Sequence, residues 1–198
     1  MARTGRRPGA SGTRAAILDA ARACFAERGF AGTSVRAVAA QASVDPALVH
    51  HYFGTKSELF AAAMELPFDP GAAVPALLEP GVDGLGERLV RFFLGVWEQP
   101  AGSARAQAIL RSALTEEAAA TLLRDFVTTQ VIGRVAEALA VPDAALRASL
   151  AGSQLIGLGL LRYLVRVEPL ASADVETVVA TIAPTIQRYL TGELQPPG

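Results

Sequence analysis

The chain has 198 residues, 51% of them hydrophobic, and one cysteine. This composition excludes an intrinsically disordered chain, a disulfide scaffold and a cysteine zinc site, and a single thiol is typical of a reducing cytoplasm. The longest apolar run stops at Arg162, which argues against a membrane-spanning helix and a membrane partner. The net charge of −1 is divided unevenly, because residues 1–60 carry +4 and the remainder −5. A basic head on an acidic body predicts an anionic partner for the head alone.

The N-terminal part of the head combines an arginine-rich segment with a first helix. Residues 1–12 consist largely of arginine, glycine, proline and serine and predict a flexible basic arm. A helix over about 14–28 follows behind a Thr13 cap, and Gly29 ends it.

Three short helices are predicted next. One spans about 34–41, and another begins at Asp45-Pro46, a capping residue followed by proline at the first helical position. The third starts at Thr55, where Glu58 completes a capping box.

The rest of the chain predicts a larger helical body behind a linker rich in proline and glycine over 66–86. Abundant alanine and the absence of hairpin signals favour an all-α protein. Long helical patterns lie at about 84–98, 103–113, 116–140, 143–166 and 172–191.

Residues 35–54 have the spacing of a helix-turn-helix. Val38 and Ala39 lie where two helices would meet, with Ala39 as the small contact residue. Ser43 occupies the tight turn, which requires a positive φ and usually holds glycine. Leu48 is predicted to be core. The residues that would face outward from the third helix are Pro46, Ala47, His50 and His51.

The run T-S-V-R-A-V-A-A-Q-A-S-V-D-P-A-L-V-H-H-Y-F-G-T-K-S-E-L-F resembles the N-terminal domain of TetR-family transcriptional regulators. The resemblance covers residues 13–62 and leaves residues 63–198 as a ligand-binding and dimerisation domain. It implies that a double-stranded DNA operator is contacted by Thr33, Ser34, Arg36, Pro46, Ala47, His50, His51, Tyr52 and Lys56. Thr33, Ser34, Tyr52 and Lys56 would contact phosphate, Arg36 would contact backbone or a base edge, and Ala47 a base edge. His50 stands where the family usually has tyrosine. The basic arm with Arg3, Arg6 and Arg7 would be either a solvated tail or an insert in the minor groove.

The same resemblance implies a small-molecule pocket inside the body and a homodimer through the last two helices. Predicted pocket residues are Phe92, Phe93, Val96, Trp97, Ile109, Leu110, Leu122, Phe126, Leu155 and Tyr163. Predicted interface residues are Gly152, Gly157, Gly159, Val175, Val178, Val179, Ile182, Ile186 and Leu190.

These observations together predict a cytoplasmic, homodimeric repressor that a small molecule releases from its operator. A ligand-independent regulator or an activator stays open as the alternative. A small enzyme or an interaction module without DNA binding is disfavoured, because the body lacks histidine and shows no pairing of a nucleophile with a base. No cofactor is expected, and no metal either, since the adjacent His50 and His51 would point about 100° apart on a helix.

Overall fold

The computed structural model describes residues 10–193, with side chains from residue 12 onward, and the regular elements in that range are all helical. The all-α class predicted from the sequence is confirmed. The helices are α1 Ala10–Gly32, α2 Val35–Gln41, α3 Pro46–Phe53, α4 Lys56–Ala63, α5 Pro70–Leu78, α6 Leu85–Glu98, α7 Pro100–Thr115, α8 Glu117–Phe126, α9 Gly133–Leu139, α10 Ala144–Gly159 and α11 Val175–Thr191. A π-helical segment, Val127–Ile132, joins α8 to α9, and a second, Leu160–Leu164, extends α10.

Helix α1 differs from its prediction at the N-terminal end. It begins at Ala10, so Thr13 lies inside the helix and does not cap it, and residues 10–12 are helical where a flexible arm was expected. Arg3, Arg6 and Arg7 lie outside the described residues. At the other end Gly29 adopts φ +68°, which breaks the helical path as predicted, although one more turn follows up to Gly32.

The three short helices of the head begin at side-chain caps, which the sequence predicted for α3 and α4. Ser34 Oγ accepts the Ala37 amide at 3.1 Å, and Asp45 Oδ1 accepts the Ala47 amide at 2.7 Å. Thr55 and Glu58 form the reciprocal capping box, and the Thr55 amide bond to Glu58 holds the pKa of that carboxyl below its usual value. These bonds satisfy amide groups that the first turn of a helix leaves without partners, which fixes where each helix starts.

The core of the head is aromatic and includes two residues from the body. Phe25 and Phe30 of α1 contact Phe60 of α4 edge-on, with ring centroids 4.9 and 5.2 Å apart. Phe126 of α8 stacks on Phe60 at 4.1 Å, and Leu122 of the same helix joins the cluster. Helix α8 therefore docks the body against the head.

The core of the body lies mainly between α6, α10 and α11. Gly86 allows the close approach of α6 to α11, because a Cβ there would lie 2.6 Å from the Ala183 carbonyl oxygen and the Gln187 amide nitrogen. The Gln187 side chain then accepts the Gly86 amide at 2.8 Å. Pro184 lies inside α11, which continues through it.

Residues 144–164, formed by α10 and its π-helical extension, are long and apolar enough to cross a bilayer by length and composition alone. The stretch nevertheless contains two arginines that bond to the body. Arg147 donates to the carbonyls of Tyr189 and Gly192 at 3.1 and 2.8 Å, and Arg162 is buried and donates to the Leu170 carbonyl at 2.6 Å. Such bonds are those of a helix packed in a helical body.

Candidate nucleic-acid interface

Helices α2 and α3 form the helix-turn-helix that the sequence predicted. Val38 and Ala39 of α2 and Val49 of α3 are buried in one cluster where the helices meet. Ser43 has φ +54°, the left-handed conformation that the tight turn requires. The turn and the small contact residue are therefore confirmed.

Helix α3 presents a row of side chains to solvent. Ala47, His50 and His51 are exposed and Pro46 is half-buried, on the face predicted to point outward. Leu48 was predicted to be core, but 39% of it is exposed. Val49 and Phe53, which are four residues apart, form the buried side of this helix, and Leu48 lies outside it. The spacing of Val49 and Phe53 in the sequence could have indicated that Leu48 is not core.

The His50 ring is held in one orientation. Its Nδ1 lies 2.8 Å from the Gly54 carbonyl oxygen at the end of the same helix. A carbonyl can only accept, so Nδ1 carries the proton and Nε2 is left for the solvent side. In the neutral ring Nε2 is an acceptor, and only the charged ring can donate from it.

Thr33 does not lie where a DNA contact requires it. Only 2% of the residue is exposed, and its hydroxyl lies 2.8 Å from the Gly29 carbonyl oxygen and 3.0 Å from that of Cys24. The hydroxyl is bonded inside the head and closes the turn after α1. Ser34 is exposed, and its hydroxyl can still donate while it accepts the Ala37 amide.

The remaining predicted contact residues differ in exposure. Arg36 is exposed on α2, and Tyr52 is half-buried with its ring against the head core. Lys56 folds back onto α1, with its ammonium 4.5 Å from the Phe30 ring centroid and 3.3 Å from the Ala31 carbonyl oxygen. Burial lowers the pKa of this ammonium, and the charge of Asp125 opposes that effect.

Asp125 of α8 forms a polar joint between the body and the head. Its Oδ2 accepts the Phe30 amide at 2.8 Å and the Ala31 amide at 3.4 Å, directly after the break at Gly29. A Cβ at position 29 would lie 2.7 Å from this oxygen, so glycine is required for the approach as well as for its φ. Sequence reasoning missed Asp125, because its partners are more than ninety residues away and the amides carry no sequence signal.

Eight of the ten predicted pocket residues lie outside a cavity of about 470 Å³ that the structure shows beside the head. The Trp97 ring is buried and stacks on Tyr163 at 5.3 Å, with Phe93 beside it at 6.1 Å, and Phe126 lies in the head core. The Tyr163 hydroxyl donates to Glu98 at 2.6 Å, and burial together with this bond raises its pKa to about 12. The others outside the cavity are Phe92, Val96, Leu110 and Leu155, whereas Ile109 and Leu122 line it.

The predicted interface residues divide into inward and outward sets. Val178, Val179, Ile186 and Leu190 are buried in the core of the chain itself, where α11 packs on α6, and Val175 and Ile182 pack against the same core. A Cβ at Gly159 would lie 2.8 Å from the Phe93 ring, so this glycine also serves packing within the chain. At Gly152 and Gly157 an added Cβ would meet nothing within 4 Å. These two glycines lie on the outer side of α10.

The fold and this site define a helix-turn-helix protein with a helical body. The family model for the N-terminal domain of bacterial regulatory proteins of the TetR family matches residues 17–63, and the model for a tetracyclin repressor-like C-terminal domain matches residues 83–190. The chain therefore belongs to the TetR family of transcriptional regulators.

Individual relatives agree with this assignment. A TetR-family regulator of Streptomyces coelicolor is 43% identical, with 94% of this chain and 98% of that chain covered and a TM-score of 0.47. An HTH-type transcriptional repressor of Mycobacterium tuberculosis is 51% identical over 51 residues, which are 26% of this chain and 27% of that protein. A Streptomyces coelicolor repressor is 37% identical over 82 residues, 40% of this chain and 42% of its own length. The match thus spans about a quarter of the mycobacterial relative.

Proposed function

We propose that the protein is a sequence-specific DNA-binding repressor that reads an operator through α3. The exposed face of Ala47, Leu48, His50 and His51 carries this proposal, because a short helix with an exposed outer face suits the major groove. Exposed Ser34 and Arg36 lie at the start of α2, where amide groups and positive charge favour phosphate. Lys56 would reach phosphate only by leaving its contact with α1.

The protein acts as a homodimer through the outer faces of α10 and α11. Ile156 and Leu161 are 48% and 43% exposed on the α10 side, next to Gly152 and Gly157, where a partner helix can approach closely. Exposed apolar side chains grouped on one face are typical of an interface. A dimer would place two copies of α3 on a near-palindromic operator.

Release by a small molecule is the second part of the proposal, and a ligand-independent regulator is its alternative. The packing of Trp97, Phe93 and Tyr163 against one another favours the alternative, since these residues were expected to line a pocket. A separate cleft beside the head favours a ligand and is described below. We expect a cytoplasmic location and no catalytic activity, because the relatives are transcriptional regulators.

Selection from a random pool of DNA duplexes tests the function directly. The wild type should enrich a near-palindromic sequence. Ala47→Glu places a negative charge on the outer face of α3 and should weaken binding to that sequence by about 100-fold or more.

Ala104→Glu is the matched control, because Ala104 is also an exposed helical alanine but lies on α7. This variant should bind within about threefold of the wild type. Absence of any enriched sequence, or equal losses in the two variants, would overturn the proposed function.

A further inference from the structure

A cleft of about 470 Å³ lies between the head and the body. Helices α1 and α4 form one wall and α7 and α8 the other. The volume is within the range of small-molecule sites, about 300–1,000 Å³, and far exceeds the voids of a close-packed interior. Its apolar walls include Phe60, Met64, Leu66, Ile109 and Leu122.

The cleft exists because small residues face one another across it. The head side of the cleft is lined by Ala26 and Ala63, and the body side by Ala108 and Ala119. On α7 the lining residues follow one helical face, since Arg105, Ala108, Ile109 and Ser112 are three or four positions apart. These small side chains leave the space between the two walls unfilled.

Helix α7 is the wall best able to move. None of its sixteen residues is buried, and Leu114 near its end is 81% exposed. Elements with few buried apolar contacts open at the lowest free energy. A ligand in the cleft would gain apolar contacts that α7 lacks in this structure.

The charges at the rim indicate the chemistry of the occupant. Arg22 is neutralised by Asp19 at 3.0 Å and by Glu65 at 3.4 Å. Arg105 is exposed and makes no ion pair with a carboxylate within residues 12–193. Glu116 also lines the cleft, but it lies beyond the other end of α7, about 16 Å along the axis from Arg105. An anionic group would therefore lie at Arg105, with an apolar body extending towards Ile109.

The position of the cleft connects it to the head. Phe60 and Leu122 belong both to the cleft wall and to the head core. Asp125, which bonds to Phe30 and Ala31, follows Leu122 by three residues on α8. A displacement of α8 by a ligand would strain these contacts between body and head.

We propose that this cleft is the effector site, and that it takes a predominantly apolar small molecule bearing one anionic group. The inference rests on the proposed function, because an effector has meaning only for a protein that binds DNA. It places the ligand between head and body, where Ile109 and Leu122 are the two predicted pocket residues that line the cleft.

The probe for the test is 8-anilinonaphthalene-1-sulfonate, which carries apolar rings and one sulfonate, titrated into the full-length protein by fluorescence. We expect one saturable site per chain. Ala108→Trp should fill the cleft and weaken binding at least about tenfold, whereas Ala104→Trp, on the same helix outside the cleft, should change it less than about twofold. Arg105→Gln should weaken binding about fivefold, with Arg111→Gln as the matched control.

Three outcomes separate this inference from the function on which it rests. Equal probe affinity in Ala108→Trp and the wild type overturns the site. Ala118→Trp, which also lines the cleft but lies on α8, provides an independent variant if the first fails to fold. Probe binding that follows the cleft variants but leaves operator affinity unchanged overturns the effector role; we expect a loss of about 5- to 50-fold. A wild type that selects no DNA, while its probe binding still follows the cleft variants, refutes the repressor proposal alone.

Discussion

The head and the body are both helical, but different interactions define their helices. In the head, α2, α3 and α4 each start at a side-chain cap, and their buried faces meet in one aromatic core. In the body, α5 and α11 start at the side-chain caps Asp69 and Asp174, but α6 to α10 start without one, and α7 buries no residue. The comparison teaches that local bonds fix where the DNA-facing helices begin, whereas α6 to α10 of the body are held mainly by packing between helices. A part held by packing alone is the better candidate for rearrangement.

The largest expected effect distinguishes the buried side of α11 from the exposed side of α10. Ile186→Asp buries a charge in the protomer core and should lower the free energy of unfolding by more than about 4 kcal/mol, measured by urea denaturation. Ile156→Asp lies on the exposed face and should leave monomer stability nearly unchanged while shifting the sedimentation coefficient to that of a monomer. The reverse pattern would show that the apolar stripe of α11 with Ile186, and not the outer face of α10, meets the partner.

A somewhat smaller effect is expected where body and head share a core. Phe126→Ala removes the stack on Phe60 and the edge contact with Phe30, and should cost about 3–4 kcal/mol by the same measurement. Phe92→Ala provides the control, because Phe92 is half-buried and contacts Phe68 outside the head core. If both variants lost the same stability, Phe126 would contribute no more to the free energy of unfolding than an aromatic residue outside the head core.

The polar joint should contribute less than the aromatic one. Asp125→Ala leaves the Phe30 and Ala31 amides without their acceptor and should cost about 1–2 kcal/mol. Asp125→Asn retains an acceptor oxygen and should cost less, and exposed Asp83→Ala should cost under about 0.5 kcal/mol. Identical stabilities for Asp125→Ala and Asp83→Ala would show that the Asp125 bonds to the head do not stabilise the protein.

The smallest expected effect is a pH dependence of DNA binding. Because Nδ1 of His50 donates to Gly54, only the charged ring can donate to phosphate from Nε2. A contact of this kind takes up a proton on binding, so affinity rises as the pH falls. We expect operator affinity to drop about three- to tenfold from pH 6 to pH 8 at fixed ionic strength.

His50→Gln should remove most of this dependence, whereas His51→Gln should retain it. Parallel pH profiles for the wild type and His50→Gln would contradict the assignment to His50.

The sequence was informative about α3, α4 and the turn between α2 and α3, whereas the capping rule at Thr13 was wrong for α1. Asp45-Pro46, Thr55 with Glu58, and Ser43 at a turn that requires positive φ predicted the head helices closely, because each rule involves residues within a few positions. The sequence was less informative about which face of a helix is buried and about contacts between residues far apart in the chain. The apolar stripe of α11 at Val178 and Ile186 is equally suited to a partner helix and to α6, and periodicity does not distinguish the two. The bonds of Thr33 and Asp125 depend on the break at Gly29 and on long-range packing, which a single sequence does not reveal.

Hydroxyl-radical footprinting of the selected duplex, bound by the wild-type protein, tests the central claim that two copies of α3 read one operator. The account predicts two protected half-sites related by a two-fold axis, with their centres separated by about one helical turn or a multiple of it. Ala47→Glu should abolish both protections together, whereas Ala104→Glu should leave both in place. A single protected patch, or protection spread evenly along the duplex, would contradict the account.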